Sequence, residues 1–279
     1  MPNVLITGSA RGIGRAAVHR LVAAGWDVWA GVRTAESGTA LVEETGDRVH
    51  PVLLDITDAA QIAALDAALP AQLDAVVNNA GIAIGGPIEG IPLDELRRQF
   101  EVNLFGQVAV TQVVLERLRA SHGRVVFVSS LSGRVSTAMT GAYNASKFAL
   151  EGMADALRLE VAPWGIKVIL VEPAQTDTAI WQDAESALDE AVASTTPAMR
   201  ELYAGHIEGF RKSIPMSQKL AAPPETVAAS IEKALTARRP RARYVVGTLP
   251  KIQSVAVGLT PTAVLDRVLG AATGVPRKL

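Results

Sequence analysis

Short, almost continuously apolar runs alternate with stretches of helical periodicity through the first 170 residues of this 279-residue chain. The apolar runs fall at 3–7, 27–32, 48–55, 74–79, 124–129 and 166–171, and include VLIT, AVV, VVFV and VILV. Runs without a polar face suit parallel strands covered on both sides. Helical patterns lie between them at 12–24, 59–69, 92–121 and 142–162. Strand and helix in alternation predict right-handed βαβ crossovers and a doubly wound α/β sheet. Beyond Glu172 the pattern weakens. Residues 174–222 are mixed and polar, 224–237 read as a helix with Val227, Ile231 and Leu235 on one face, and 243–247 read as a seventh strand before an apolar tail. With no repeat and no low-complexity linker, the expectation is one domain over 1–279, with 248–279 as a C-terminal extension.

Composition narrows the function classes. Half the residues are apolar (49%) and a fifth are charged (20%), so a large core can be buried. A net charge of −1 gives no general attraction to nucleic acid or to an acidic membrane. The basic run ARRPRAR at 237–243 reads as a solvated loop before the last strand rather than a nucleic-acid surface. There is no cysteine, hence no thiolate nucleophile, and the four histidines (His19, His50, His122, His206) lack a metal-binding spacing, so no metal site is expected. His122, just ahead of the fifth strand, reads as structural. PNVLITG carries no basic leader and runs straight into a glycine turn, and no apolar run approaches the roughly 20 residues of a membrane helix. No integral membrane segment is expected, and the reading is a soluble, cytoplasmic protein.

The chemistry-bearing residues stand at two places. Tyr143 and Lys147 are four apart within a helical pattern, so both emerge on one face. A phenol beside an ammonium can form an acid/base group, because the positive charge favours phenolate and lowers the tyrosine pKa from about 10. Ser130, at the end of RVVFVSS, can hold a carbonyl or alcohol oxygen against the phenol. Ser129 and Ser132 are close by, and the choice of Ser130 rests on spacing. The second place is the turn Gly8-Ser9-Ala10-Arg11-Gly12-Ile13-Gly14 between the first strand and helix. Glycines there allow a tight turn and a close backbone approach to a pyrophosphate at a helix N-terminus.

TGSARGIG, then Asn78-Asn79-Ala80-Gly81, Asn103, Ser130 and Tyr143-x-x-x-Lys147 resemble, in order and spacing, the short-chain dehydrogenase/reductase family over about residues 1–180. The wider look of the chain is similar to the steroid and retinol dehydrogenase branch. The resemblance implies a Rossmann sheet of seven strands ordered 3-2-1-4-5-6-7 and a nicotinamide dinucleotide cofactor. It assigns Tyr143 as general acid/base, Lys147 as its electrostatic partner and ribose ligand, Ser130 as substrate-oxygen ligand and Asn103 as holder of a water linking Lys147 to solvent. It also places the cofactor on Gly8, Ser9, Arg11, Gly12, Ile13, Gly14, Asp55, Ile56, Asn79, Ala80, Gly81, Pro173, Thr176 and Thr178. The family's acidic residue after the second strand falls at Val32 and is followed by Arg33, so NADP(H) is expected over NAD(H), with Arg11 adding a second charge for the 2′-phosphate. The bland alternative for either arginine is a solvated surface charge. Ala174 stands where the family commonly has glycine, which puts the loop after the sixth strand in question.

The resemblance makes 175–222 the variable substrate-binding region. Its apolar side chains (Ile180, Trp181, Leu188, Met199, Leu202, Tyr203, Phe210 and Met216) read either as a lid over a hydrophobic carbonyl or alcohol, or as packing alone. The tail has three open fates: covering the cleft, forming a subunit contact or touching a membrane. A homodimer or homotetramer is implied by resemblance. The expectation is thus an NADP(H)-dependent oxidoreductase; the alternative is a nucleotide sensor on the same fold without turnover.

Overall fold

The apolar runs pair into one sheet in the computed structural model, which describes residues 1–276. Strands β1 (Asn3–Ile6), β2 (Asp27–Val32), β3 (Val49–Leu53), β4 (Ala75–Asn78), β5 (Arg124–Val128), β6 (Lys167–Glu172) and β7 (Arg243–Val245) are ordered β3-β2-β1-β4-β5-β6-β7, all parallel. This is the expected doubly wound Rossmann sheet. The alternation of side chains across the strands divides the core in two. Val4, Ile6, Val28, Val126 and Ile169 face helices α1 (Gly12–Ala23), α2 (Ala35–Thr45) and α11 (Pro224–Thr236). Leu5, Val76, Phe127 and Leu170 face α3 (Ala59–Ala68), α5 (Gln107–Ser121) and α6 (Gly141–Glu160). Pro51 is tolerated within β3 because that strand is an edge of the sheet.

Three segments differ from the sequence reading. Helix α2 was absent from it, since Gly38 interrupts the segment; a Cβ there would sit 2.7 Å from Pro51 Cβ, so the glycine lets the helix close on β3. Thr34 caps α2 by accepting from Ser37 N at 3.3 Å. The single helix expected over 92–121 is α4 (Leu93–Phe100) and α5 joined by a π-helical turn, Glu101–Gly106, which contains Asn103. The polar stretch 174–222 holds four helices: α7 (Ala179–Gln182), α8 (Ala184–Ala193), α9 (Pro197–Leu202) and α10 (Ala204–Lys219). Only Met139, Leu188 and Ile214 are buried in the cluster beneath them, so their apolar stripes are too narrow to produce a clear period.

The apolar tail forms α12 (Thr248–Leu259) and α13 (Thr262–Ala272). Its end is seated on α10, where a Cβ on Gly209 would lie 2.1 Å from the Gly274 carbonyl oxygen. No described helix is long and apolar enough to cross a membrane.

Candidate active site

A cleft of about 1390 Å³ opens at the carboxyl ends of the strands, where the strand order reverses between β1 and β4. It is lined by Gly8, Arg11, Gly12 and Ile13 from the glycine turn, Arg33 after β2, and Asp55 and Ile56 after β3. Asn79, Ala80 and Gly81 after β4 line it too, with Ser130, Tyr143, Lys147, Pro173, Thr176 and Thr178. Residues far apart in sequence therefore share one cavity.

The glycine turn owes its shape to the neighbouring turn. Gly8 has φ +68°, and a Cβ on it would meet Ala80 Cα at 2.9 Å. Thr7 Oγ1 accepts from Asn79 N and Ala80 N, both at 3.0 Å, and Asn79 Nδ2 donates to the Thr7 carbonyl at 3.0 Å. Two members of the expected set do not reach the cleft. Ser9 is buried with its hydroxyl donating to Ile6 O at 2.8 Å, so it closes the turn from inside. Gly14 packs inward as well, since a Cβ there would lie 2.1 Å from Gly8 O.

These features fit the expected dinucleotide. Helix α1 starts at Gly12 with no side-chain cap, which leaves first-turn N–H groups for an anion. Asp55 Oδ1 accepts from Thr57 N at 2.9 Å and Thr57 Oγ1 at 2.7 Å, and these bonds, with the charge of Arg33, hold its carboxyl below the ordinary range. The helix cap of that neighbourhood is Asp58, whose Oδ1 accepts from Ala60 N at 2.9 Å. Ala174 does not strain its loop: it is not among the described positive-φ residues, so an L side chain fits there.

At the acid/base end, Tyr143 is half-buried on the first turn of α6 and Lys147 is buried one turn on. Lys147 Nζ donates to the Val128 carbonyl at 2.9 Å and lies 5.8 Å from the phenol ring centroid. Burial holds the ammonium down at about 8, against the upward pull of Glu151. Burial pushes the Tyr143 phenol above its ordinary value, and a Ser130 hydrogen bond draws it part of the way back. The expected lowering of the phenol by Lys147 is therefore corrected: desolvation prevails, and the ammonium is directed at a carbonyl. Ser130 is the serine that meets the phenol, and it also accepts from Ser132 N at 3.1 Å. Its neighbour Ser129 points toward Glu151, as alternation along an extended strand requires.

Asn103 is fully buried and its side chain is committed elsewhere. Oδ1 accepts from Ile82 N at 2.9 Å, and Nδ2 donates to Ile82 O at 2.9 Å and Ser146 Oγ at 3.1 Å. With both amide protons used, the side chain clamps the turn after β4. His122 is structural as expected: it ends α5 with φ 52° and its Nδ1 pairs with Trp164 O at 2.8 Å.

Of the eight apolar residues read as a lid, Ile180, Trp181, Leu188 and Phe210 line the cleft, while Met199, Leu202, Tyr203 and Met216 do not. Tyr203 instead donates to Glu89 Oε2 at 2.7 Å. Val257, Leu265 and Leu269 of the tail line the same cavity, so the tail covers it. Arg134 in the turn after β5 lines it too. Covering the cleft was one of the three fates left open for the tail; Arg134 was missed, having no sequence signal of its own.

The family described as short chain dehydrogenase matches residues 2–189. An NADPH-dependent 3-dehydrocapnine reductase of Ornithobacterium rhinotracheale is 34% identical, with 96% of each protein covered. Human retinol dehydrogenase 5 is 36% identical, over 95% of this chain and 87% of its own length. A short-chain dehydrogenase from Streptomyces avermitilis is similar in structure, with a TM-score of 0.75, 30% identity and coverage of 95% of this chain and 97% of its own. The chain thus belongs to the short chain dehydrogenase family and is an oxidoreductase acting on alcohol or carbonyl groups.

Proposed function

We propose that the protein is an NADP(H)-dependent oxidoreductase that interconverts an apolar ketone or aldehyde and its alcohol. The observation carrying this reading is the meeting of Ser130, Tyr143 and Lys147 with the glycine turn, Arg11 and Arg33 in one largely apolar cleft. A nicotinamide dinucleotide, when bound, supplies or accepts the hydride. Ser130 holds the substrate oxygen and Tyr143 moves a proton to or from it. Lys147, fixed by the Val128 carbonyl, keeps a positive charge behind the phenol.

For the cofactor, Val32 is buried and apolar where a ribose-binding carboxylate is expected, and Arg33 follows it at the cleft wall. Arg11 lines the same end. The NADPH dependence in the name of the reductase relative points the same way. Ile180, Trp181 and Leu188 from the 175–222 region, together with the tail, supply apolar walls for a hydrophobic substrate. The retinol dehydrogenase name of another relative is consistent with that class. No relative named here favours a sensor without turnover.

The test is to follow NADPH oxidation against a panel of apolar ketones and aldehydes, with NADH alongside. Arg33→Ala is expected to weaken NADPH by about 10–100-fold, the worth of a charge-assisted hydrogen bond, with little effect on NADH. Equal losses for both cofactors would refute the phosphate role.

The helices bearing Asn103 and Tyr143 also leave Phe105 and Phe148 55% and 44% exposed. We assign this apolar surface to contact with a second copy. Sedimentation should show a dimer or tetramer for the native chain and a smaller species for Phe148→Asp; an unchanged assembly rejects the assignment.

A further inference from the structure

Behind the acid/base pair lies a cluster of charges, built on the buried carboxylates Glu151 and Glu172, that the mechanism does not use. Glu151 follows Lys147 by one helical turn on α6, so Tyr143, Lys147 and Glu151 form one stripe. Glu151 Oε2 accepts from Arg243 Nε of β7 at 3.1 Å, and the same Nε lies 3.2 Å from Glu172 Oε1 at the end of β6. Arg243 Nη2 donates to Asp155 Oδ2 at 2.6 Å. Glu172 in turn accepts from Arg134 Nε at 2.7 Å and Nη2 at 3.0 Å. The bonded series Glu151–Arg243–Glu172–Arg134 therefore starts one helical turn beyond Lys147 and ends at Arg134, which lines the cleft with Lys147.

The contact between Glu151 and the site is close. A Cβ placed on Gly133 would lie 2.9 Å from Glu151 Cγ, 3.1 Å from the Lys147 carbonyl oxygen and 3.1 Å from Ser129 Oγ, so only glycine leaves room for the three to meet. Glu151 Oε1 and Ser129 Oγ are both buried with no hydrogen-bond partner among the described residues. One carboxyl oxygen is thus tied to the ion cluster, while the other is turned loose on the side of Ser129 and the catalytic strand end.

Resting on the proposed Tyr143–Lys147 chemistry, we propose that Glu151 is a positioning residue whose carboxylate, set between Lys147 and the Arg243–Glu172–Arg134 cluster, sustains the positive charge of Lys147. The groups facing Glu151 are Lys147 and Asp155 on its own helix, Ser129 just after β5, Glu172 from β6 and Arg243 from β7. Burial lifts the Glu151 carboxyl above its ordinary value; Ser129 draws it down, Glu172 raises it and Arg243 lowers it again. Its residual charge pulls Lys147 upward against desolvation, and that ammonium titrates at about 8. The charged form of Lys147 predominates below that value and is lost as pH rises through it. Turnover that needs the charge must fall on the alkaline side.

The experiment is the pH profile of kcat for the full-length enzyme and its Glu151→Gln variant with NADPH and a carbonyl substrate. Neutralising Glu151 removes the upward pull, so the alkaline limb should move down by about one pH unit, read as roughly tenfold less turnover above the limb, with KM changed little. Glu151→Asp, which keeps the charge, should restore the limb. An unmoved limb in Glu151→Gln, or one factor of loss at every pH, overturns the proposal. If Glu151→Gln does not fold, Ser129→Ala serves instead. It removes the group that favours ionised Glu151, so its limb should move the same way by less, and an unmoved limb again overturns it. The underlying reading is judged separately: full turnover in Tyr143→Phe would remove the acid/base assignment itself, whatever Glu151→Gln does.

Discussion

Tyr143→Phe is expected to lose turnover by about 10²–10⁴-fold while retaining affinity for the cofactor. The substitution deletes one hydroxyl and leaves the ring in its half-buried place on α6. Lys147 stays where it is, because its ammonium is held by the Val128 carbonyl rather than by the phenol. Cofactor binding by fluorescence titration should be unchanged, and kcat should carry the loss. A variant with full turnover would show that another group moves the proton. The sign of the tyrosine shift adds a directional expectation. Burial raises the phenol above its ordinary value, so the protonated form persists through neutral pH and into the alkaline range. Donation to a carbonyl oxygen is then available at neutral pH, whereas alcohol oxidation, which needs phenolate, should rise with pH until the Lys147 charge is lost at about 8. Rates in the two directions against pH would check this.

The second large effect is on stability. Glu172 is 0% exposed and carries Arg134 in a two-point contact and Arg243 in a third. In Glu172→Ala both guanidiniums lose that carboxylate in a partly dry place. Breaking a buried pair on one side costs about 3–5 kcal/mol, against a total of about 5–15 kcal/mol for a folded domain. The thermal midpoint should fall on the order of 10 °C. The exposed pair Lys212–Glu208 is the control: with side chains 74% and 57% exposed, its removal should change stability by about 0–1 kcal/mol. Equal midpoints for the two variants would show that the buried cluster contributes no more than a surface pair.

Much of the scaffold was legible because local pattern and global architecture agree. A run such as VVFV has no polar face to present to water, which suits an inner parallel strand rich in β-branched residues, and β5 is one. The glycines of the first turn were legible for a similar reason, since φ +68° at Gly8 is a conformation that side chains disfavour. Helix α2 was not legible, because the glycine that breaks its pattern answers to Pro51 on another strand. The helices of 175–222 were hidden because they share little buried surface, and a helix that buries little needs little periodicity.

The site divides along the same line. By itself the sequence determined the strands and the longer helices between them, the i, i+4 placement of Tyr143 and Lys147, and the glycine turn ahead of the first helix. These follow from steric limits and short-range periodicity, which act between residues near in sequence. Only the tertiary structure decided that the tail lies over the cleft, and that Ser130 rather than Ser129 meets the phenol. It alone showed that Asn103 spends its amide on Ile82 and Ser146, and that buried Glu151 and Glu172 share one ion cluster with half-buried Arg134 and Arg243 behind Lys147. It also reversed the sign of the tyrosine shift. Desolvation and ion pairing depend on which distant segments exclude water around a group, and no local pattern in the chain encodes that.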